Sequence, residues 1–446
     1  MKKIVPVLTA LVLTAGMVFA QEASFSGGAI VGSDVLSGDN KKHSELITSG
    51  GEFTLRLQAS GSTETPVGSF GAWLRLNNTA GWPDFDPNGI KIYGYSWWQP
   101  SSLFKLTIGS NPAGWWGMSG ITRWGFYAMA DDARIASGYT WGWTPSGIAS
   151  GYGPYASLSA NFNQAFYPGF DKGLLLEFAP MDIIAVNIGL PVIPGGETVN
   201  DVLLGVNAQV AVSLDILDIG LTYQGGDKKV EKYFDDDGDP FIEASLTDPG
   251  SLFGFFRYNS GGIDAHLGIG FHLPYSYELK VLKENDAVEK NINATQSKPI
   301  AVGLGLNFDI SPEMNVRFRT MAKFGGEYKG ELDEDNLLEY KGKPIDLPFQ
   351  FTAEVLPSYE LTTGITAFLG IGAGYSSEVV YADAKRANSM FDFYLSPYIR
   401  VGSTWGPSFY AGVEIKSTDQ MKAGETGSKR ERLLNWRVPI SVYYFF

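Results

Sequence analysis

The chain has 446 residues, with 34 Lys+Arg against 48 Asp+Glu and a formal net charge of −14. That balance disfavours nucleic acid, which needs concentrated basic surface. Charged residues make up only 18% and aromatics reach 14%, with 54 glycines and no cysteine. Soluble domains carry roughly 25% charge, so this composition points instead to large sheets with one apolar and one polar or glycine face. The missing cysteine excludes disulfides, thiolate metal sites, cysteine nucleophiles and an N-terminal lipidated cysteine together.

The chain opens on MKKIVPVLTALVLTAGMVFAQ. Lys2 and Lys3 precede an apolar stretch from Ile4 to about Gly16, and Val18-Phe19-Ala20 offers aliphatic or small residues at the cleavage positions. This is the pattern of a secretory signal peptide over residues 1–20, cleaved after Ala20. No later stretch approaches the uninterrupted run of roughly 18 apolar residues that a helical span needs.

From there, period-two alternation dominates, which is the mark of a strand with one greasy face. A weaker strand is expected near 22–32, then others near 51–60, 68–78, 89–97, 102–110, 156–163, 172–180 and 182–191. In GEFTLRLQ, Phe53, Leu55 and Leu57 alternate with Glu52, Thr54, Arg56 and Gln58. Within 201–215, Val202, Leu204, Val206, Ala208, Val210, Val212 and Leu214 share one face against Gly205, Asn207, Gln209, Ser213 and Asp215. The same reading holds for LDIGLTYQ, GIDAHLGIGFHL, KPIAVGLGLNFDI, MNVRFRTMAKF, LPFQFTAEV, TGITAFLGIGAGY and FDFYLSPYIRVG. The last strand is NWRVPISVYYFF, which closes the chain on two phenylalanines.

The links add a second regularity. Tight ones fall near 215–217, 259–262, 311–314, 357–364 and 404–408, and several hold Pro, Gly or Asp. They take turns with long polar links at 225–250, 274–298, 325–346, 376–390 and 417–433. The alternating segments suit the roughly 9–11 residues that a tilted membrane strand needs, rather than the five or six of an ordinary strand. Short turns on one side and long loops on the other complete the expectation: all-β, a single antiparallel transmembrane β-barrel over 21–446. Some nineteen segments qualify, and an even number is required to bring both termini to one side. The expected count is therefore about 18, within 16–20.

These features together resemble bacterial outer-membrane porins. In that family a C-terminal strand ending in Phe is read by the barrel-assembly machinery, and Val442, Tyr444 and Phe446 match the pattern. The resemblance implies an outer-membrane location, lipid as the surrounding partner, and passive diffusion of small polar or charged solutes. It implies no cofactor, and it allows a homotrimer.

Residues on the polar phase are the candidate pore lining: Arg56, Arg75, Lys105, Arg317, Arg319, Lys323, Glu354, Asp392, Arg400, Glu414, Lys416 and Arg437, with Asp264 and Asp309 adding acids. The segment 112–155 is dense in Trp, Tyr and Gly and holds Arg123, Asp131, Asp132 and Arg134. Folded into the lumen, it would constrict the pore and set a transverse field across it; the alternative is girdle strands with an external loop. The acidic run Asp235, Asp236, Asp237 and Asp239 lacks the EF-hand spacing and reads as a solvated loop.

Enzymatic readings find no support. His266 and His272 lie six residues apart on one face, about 20 Å, and no nucleophile elbow is present. Two rival functions remain open. One is a fatty-acid-channel-like transporter of hydrophobic substrates with an N-terminal hatch over 21–51. The other is a surface adhesin built on the long loops.

Overall fold

The structure is a computed structural model. It describes residues 22–39, 45–46, 52–81, 90–110, 172–191, 203–226, 228–234, 240–282, 288–296, 300–324, 328–330, 344–346, 349–376, 379–381, 386–387, 390–403, 407–420 and 431–445. The chain traces a wall of antiparallel strands in sequence order. They are β1 (Glu22–Asp39), β2 (Glu52–Thr65), β3 (Gly68–Gly81), β4 (Ile90–Ser101), β5 (Phe104–Ser110), β6 (Lys172–Met181), β7 (Ile184–Pro191), β8 (Asn207–Leu214) and β9 (Leu217–Gln224). The second half comprises β10 (Ser251–Ser260), β11 (Ile263–His272), β12 (Ile300–Asp309), β13 (Met314–Phe324), β14 (Gln350–Thr362), β15 (Ile365–Ser376), β16 (Met390–Gly402), β17 (Ser408–Gly412 with Glu414–Gln420) and β18 (Glu431–Phe445).

Twenty segments share this sheet. The two pieces of β17 act as one strand because they hold one register against β18, Ala411↔Ile440 and then Glu414↔Arg437. Between them, Val413 N donates to Pro397 O at 2.9 Å, keeping the ladder to β16 unbroken. Glu45–Leu46 is a two-residue pairing on the flank of β1. Eighteen full strands remain among the described residues.

The ladder returns to its start. Gly28 of β1 faces Arg56 of β2 and also Phe445 of β18. One residue paired to both neighbours places them on opposite edges, so β1 joins the first and last parts of the wall. This corrects the alternative of an N-terminal hatch over 21–51, because Glu22–Asp39 is a wall strand. The count is settled at the other doubtful place too. β5 and β6 pair directly, Gly109↔Gly173, with no described strand between them; the strand expected at 156–163 lies outside the described residues.

Alternation puts apolar side chains on the exposed face. Leu221 is 58% exposed while its neighbour Thr222 is 1% exposed. Ile108, Phe178, Val210, Ile269, Ile371 and Ile399 are exposed likewise, and Thr107, Gln209, His266 and Ser396 on the other phase are buried. Left in water, each such side chain would forgo about 1.5–3 kcal/mol of burial. An apolar face of this extent is solvated by lipid, and the opposite face of the ring is the inside.

Turns on the short-link side are as tight as expected. Gly261 and Gly262 join β10 to β11 with φ of 61° and 82°, both in the left-handed region that a two-residue hairpin turn requires. One link is shorter than the sequence suggests. The expected turn over 357–364 is only Thr363–Gly364, because β14 runs on to Thr362 with Pro357 opposite Val316. Proline is a weak stop signal at a strand position that needs no donor. The strand expected over 201–215 starts at Asn207.

The long polar links hold the largest departure. Residues expected as loops form a second sheet of Lys228–Phe234, Pro240–Thr247, Tyr275–Leu282, Val288–Gln296 and Tyr328–Gly330. Its pairings continue the wall's own register. Gln224↔Ser251 is followed by Lys228↔Thr247, Ser251↔His272 by Thr247↔Ser276, and Phe271↔Ile300 by Tyr275↔Gln296. The sector β9–β13 is therefore prolonged by five strands on the side of the long links. Beyond the bilayer no lipid requires an apolar face, so alternation weakens in Lys228–Phe234 and Val288–Gln296, while Ile242, Ala244 and Leu246 and their partners Val281, Leu279 and Tyr277 keep it.

Candidate functional site

The inward face is built strand by strand from the polar phase. On β1–β4, Gln58 Nε2 donates to Ser26 Oγ at 2.7 Å, and Arg75 Nη2 donates to Gln58 Oε1 at 3.1 Å. The Arg75 guanidinium lies 4.7 Å from the Trp73 ring centre, and Trp73 stacks on Tyr95 at 5.1 Å. One row nearer the short turns, the Trp97 indole lies across Gly71, where a Cβ would come within 2.3 Å of the ring. Lys105 Nζ sits 5.3 Å from the Trp97 ring centre and 3.7 Å from Glu177 Oε2 on β6.

On β7–β9 a ladder of uncharged groups follows. Asn187 Nδ2 donates to Gln209 Oε1 at 3.2 Å, and Gln209 Nε2 donates to Thr222 Oγ1 at 2.9 Å, all three residues buried. Further round, Arg257 donates through Nε and Nη2 to both oxygens of Asp264 at 2.8 and 2.9 Å. Its Nη1 lies 3.8 Å from Asp218, which also accepts from the Ser213 hydroxyl. His266 Nε2 is 2.9 Å from Asp264 Oδ1. Bidentate pairing of this kind fixes geometry as well as charge.

The remaining sector carries an apolar cluster. Phe368 and Tyr398 stack face to face at 4.5 Å, with Leu356 and Tyr410 packed beside them. Arg400 lies 5.3 Å from the Phe368 ring centre and donates to Thr366 Oγ1 at 3.1 Å. At the seam, Arg437 Nε is 3.3 Å from Glu414 Oε1, and Glu414 is 1% exposed.

Of the expected lining, Arg75, Lys105, Arg317, Arg400, Glu414 and Arg437 stand in wall strands on the phase opposite the exposed apolar series. For Arg56, Arg319, Lys323, Glu354, Asp392 and Lys416 the structure describes backbone pairing alone. Arg319 is opposite Glu354 across β13–β14, Lys323 opposite Gln350, Asp392 opposite Gly374, and Lys416 opposite Tyr394 and Asn435. Arg123, Asp131, Asp132, Arg134 and Phe446 lie outside the described residues. Val442 and Tyr444 are half exposed on the outward face of β18.

Sequence reasoning about charge passed over the inward aromatics Trp73, Tyr95, Trp97, Phe368 and Tyr398, and the Asn187–Gln209–Thr222 ladder. A usable signal was present. Trp73 shares its phase with Arg75, and Phe368 shares its phase with Gly370, Gly372 and Gly374.

No sequence-family description matches the chain, and no curated protein matches it. Among solved structures it is similar to an anion-selective porin from Comamonas acidovorans, with 11% identity, a TM-score of 0.44, and 95% of this chain covering 100% of that one. It is similar to the outer membrane channel DcaP of Acinetobacter baumannii at 10% identity and a TM-score of 0.45, covering 95% of this chain and 97% of that one. The trimer form of the Vibrio cholerae outer membrane protein OmpT matches at 11% identity and 0.42, over 95% and 99%. The class defined by the ring itself is a single antiparallel transmembrane β-barrel.

Proposed function

We propose that this chain is an outer-membrane diffusion channel for small polar or charged solutes. The observation that carries the reading is the eighteen-strand ring with an apolar exterior and ion-paired interior. Barrels of about 16–18 strands leave an aqueous channel when their lumen is lined by polar side chains. Opposite charges paired along the inner wall keep it hydrated at little net field, so selectivity would rest on locally unbalanced charges. The proposal includes export by cleavage after Ala20, recognition of Val442, Tyr444 and Phe446 by the assembly machinery, and a constriction from 112–155 carrying Arg123, Asp131, Asp132 and Arg134. A homotrimer in the lipid of the outer membrane belongs to it as well.

The test is conductance of the refolded chain from Gln21 in planar bilayers, with reversal potential under a KCl gradient. Discrete steps with a definite ion preference are expected, and neutralising Arg317 and Arg319 together should move the preference toward cations. A barrel that is folded and still does not conduct would sink the reading. Asp131→Asn with Asp132→Asn should shift the preference the opposite way if 112–155 constricts the pore.

A further inference from the structure

Along the inner wall Lys105 faces Glu177 and Arg437 faces Glu414. Where β8–β11 meet the short turns, the balance is different. Asp218 and Asp264 are the second residues of β9 and β11, each directly after its turn. Arg257 serves both of them, Asp264 through its two oxygens and Asp218 at 3.8 Å. The fourth member is an imidazole. His266 Nε2 lies 2.9 Å from Asp264 Oδ1, and an ionised carboxylate only accepts, so Nε2 carries its hydrogen. In the neutral ring Nδ1 is then a bare acceptor, and it has no hydrogen-bond partner. A proton added at Nδ1 therefore displaces no existing hydrogen bond.

With the ring neutral, two carboxylates stand against one guanidinium, and one negative charge is left over. With the ring protonated, the cluster is balanced. On its own strand His266 is flanked by Asp264 and Gly268. From β10 it meets Arg257, with Phe255 and Asn259 to either side, and from β12 Gly305, with Gly303 and Asn307 to either side. Beyond these stand Asp309 at the end of β12, and Arg317 and Arg319 on β13 opposite Asn307 and Gly305. Arginines and carboxylates ordinarily keep their charge between about pH 8 and pH 6, whereas imidazole is the side chain that ordinarily changes there. Arg257, Asp218 and Asp264 are half-buried, so their summed field acts on ions within a Debye length, about 10 Å at 0.1 M salt. No solute has to touch them. We infer that His266 is a proton-operated selectivity residue for the short-turn end of the lumen. Neutral, it leaves the Asp218–Arg257–Asp264 cluster negative and favours cations; protonated, it removes that bias. The inference deepens the diffusion-channel reading and rests on it.

The experiment measures reversal potential of the refolded chain in planar bilayers under a KCl gradient near 0.1 M, at about pH 8 and about pH 6. The unaltered chain is expected to shift toward anions as the pH falls, because the added charge is positive. His266→Gln, checked for folding by gel mobility without heating, should lose that shift and keep the high-pH preference throughout. His272→Gln should retain the shift, and His43 is common to all the chains, so its contribution cancels. Asp218→Asn removes one negative charge without removing a partner of the ring, and should move the preference toward anions at both pH values. A pH shift that survives in His266→Gln, or that is lost in His272→Gln, overturns the inference and leaves the channel reading standing. So does an unaltered chain that conducts with no shift. A folded barrel that does not conduct overturns the channel reading, and the selectivity residue falls with it. Should His266→Gln not fold, Asp218→Asn decides alone, and an unchanged preference there overturns the inference.

Discussion

Glu414 shows how much a single inward residue can carry. It is almost fully buried at the seam between β17 and β18 and faces Arg437 at 3.3 Å. Breaking a buried pair by removing one partner leaves a charge without its counterion, at a cost of about 3–5 kcal/mol. Glu414→Ala is therefore expected to lower the unfolding free energy of the refolded barrel by an amount of that order, seen as a lower urea midpoint, and Glu414→Gln by less, since the amide still accepts. A midpoint unchanged in both would show that the seam does not depend on this pair. The sequence marked Glu414 and Arg437 as polar-phase residues, yet their pairing came from register. Twenty-three positions separate them, and only the β17–β18 ladder brings them face to face.

At the scale of the strand, the two faces obey different solvents. Ile269 lies 47% exposed on the outer side of β11. Ile269→Arg should destabilise the barrel by about 2–4 kcal/mol if that position stands near the bilayer midplane, measured by unfolding in vesicles. The turn below it makes a different demand. Gly261 has φ of 61° with open space around it, so Gly261→Val meets backbone strain rather than a clash, at about 1–3 kcal/mol. Both effects read from the same denaturation curve, and Gly254→Ala serves as the control, since a Cβ there also meets open space without a positive φ.

At the scale of the molecule, β1 decides whether there is a ring at all. It pairs with β2 over its first half and with β18 over its second. Deleting 22–39 would expose two long strand edges, and unpaired edges in lipid cannot be satisfied by water. Such a chain is expected to give no heat-sensitive folded band on an unheated gel and to aggregate. A deletion that still folded and inserted would argue that β2 and β18 can meet without β1. The prolonged sector β9–β13 makes a milder demand, because strands beyond the bilayer have water for their free edges.

The all-β class, the strand number near eighteen and the inward phase of Arg75, Lys105, Arg400 and Arg437 were legible in the chain alone. Period-two alternation under lipid is a local rule, read within ten residues. What tertiary structure decided lies where that rule stops applying. Beyond the membrane, KKVEKYF and VEKNINATQ carry no apolar face, so they read as loops while the ladder continues through them. Near the N-terminus, Glu22–Asp39 is polar and rich in glycine and serine, and only its two partners make it a wall strand. Inside the barrel, the neighbours of each side chain are set by cross-strand register, a relation between distant residues that no local pattern encodes.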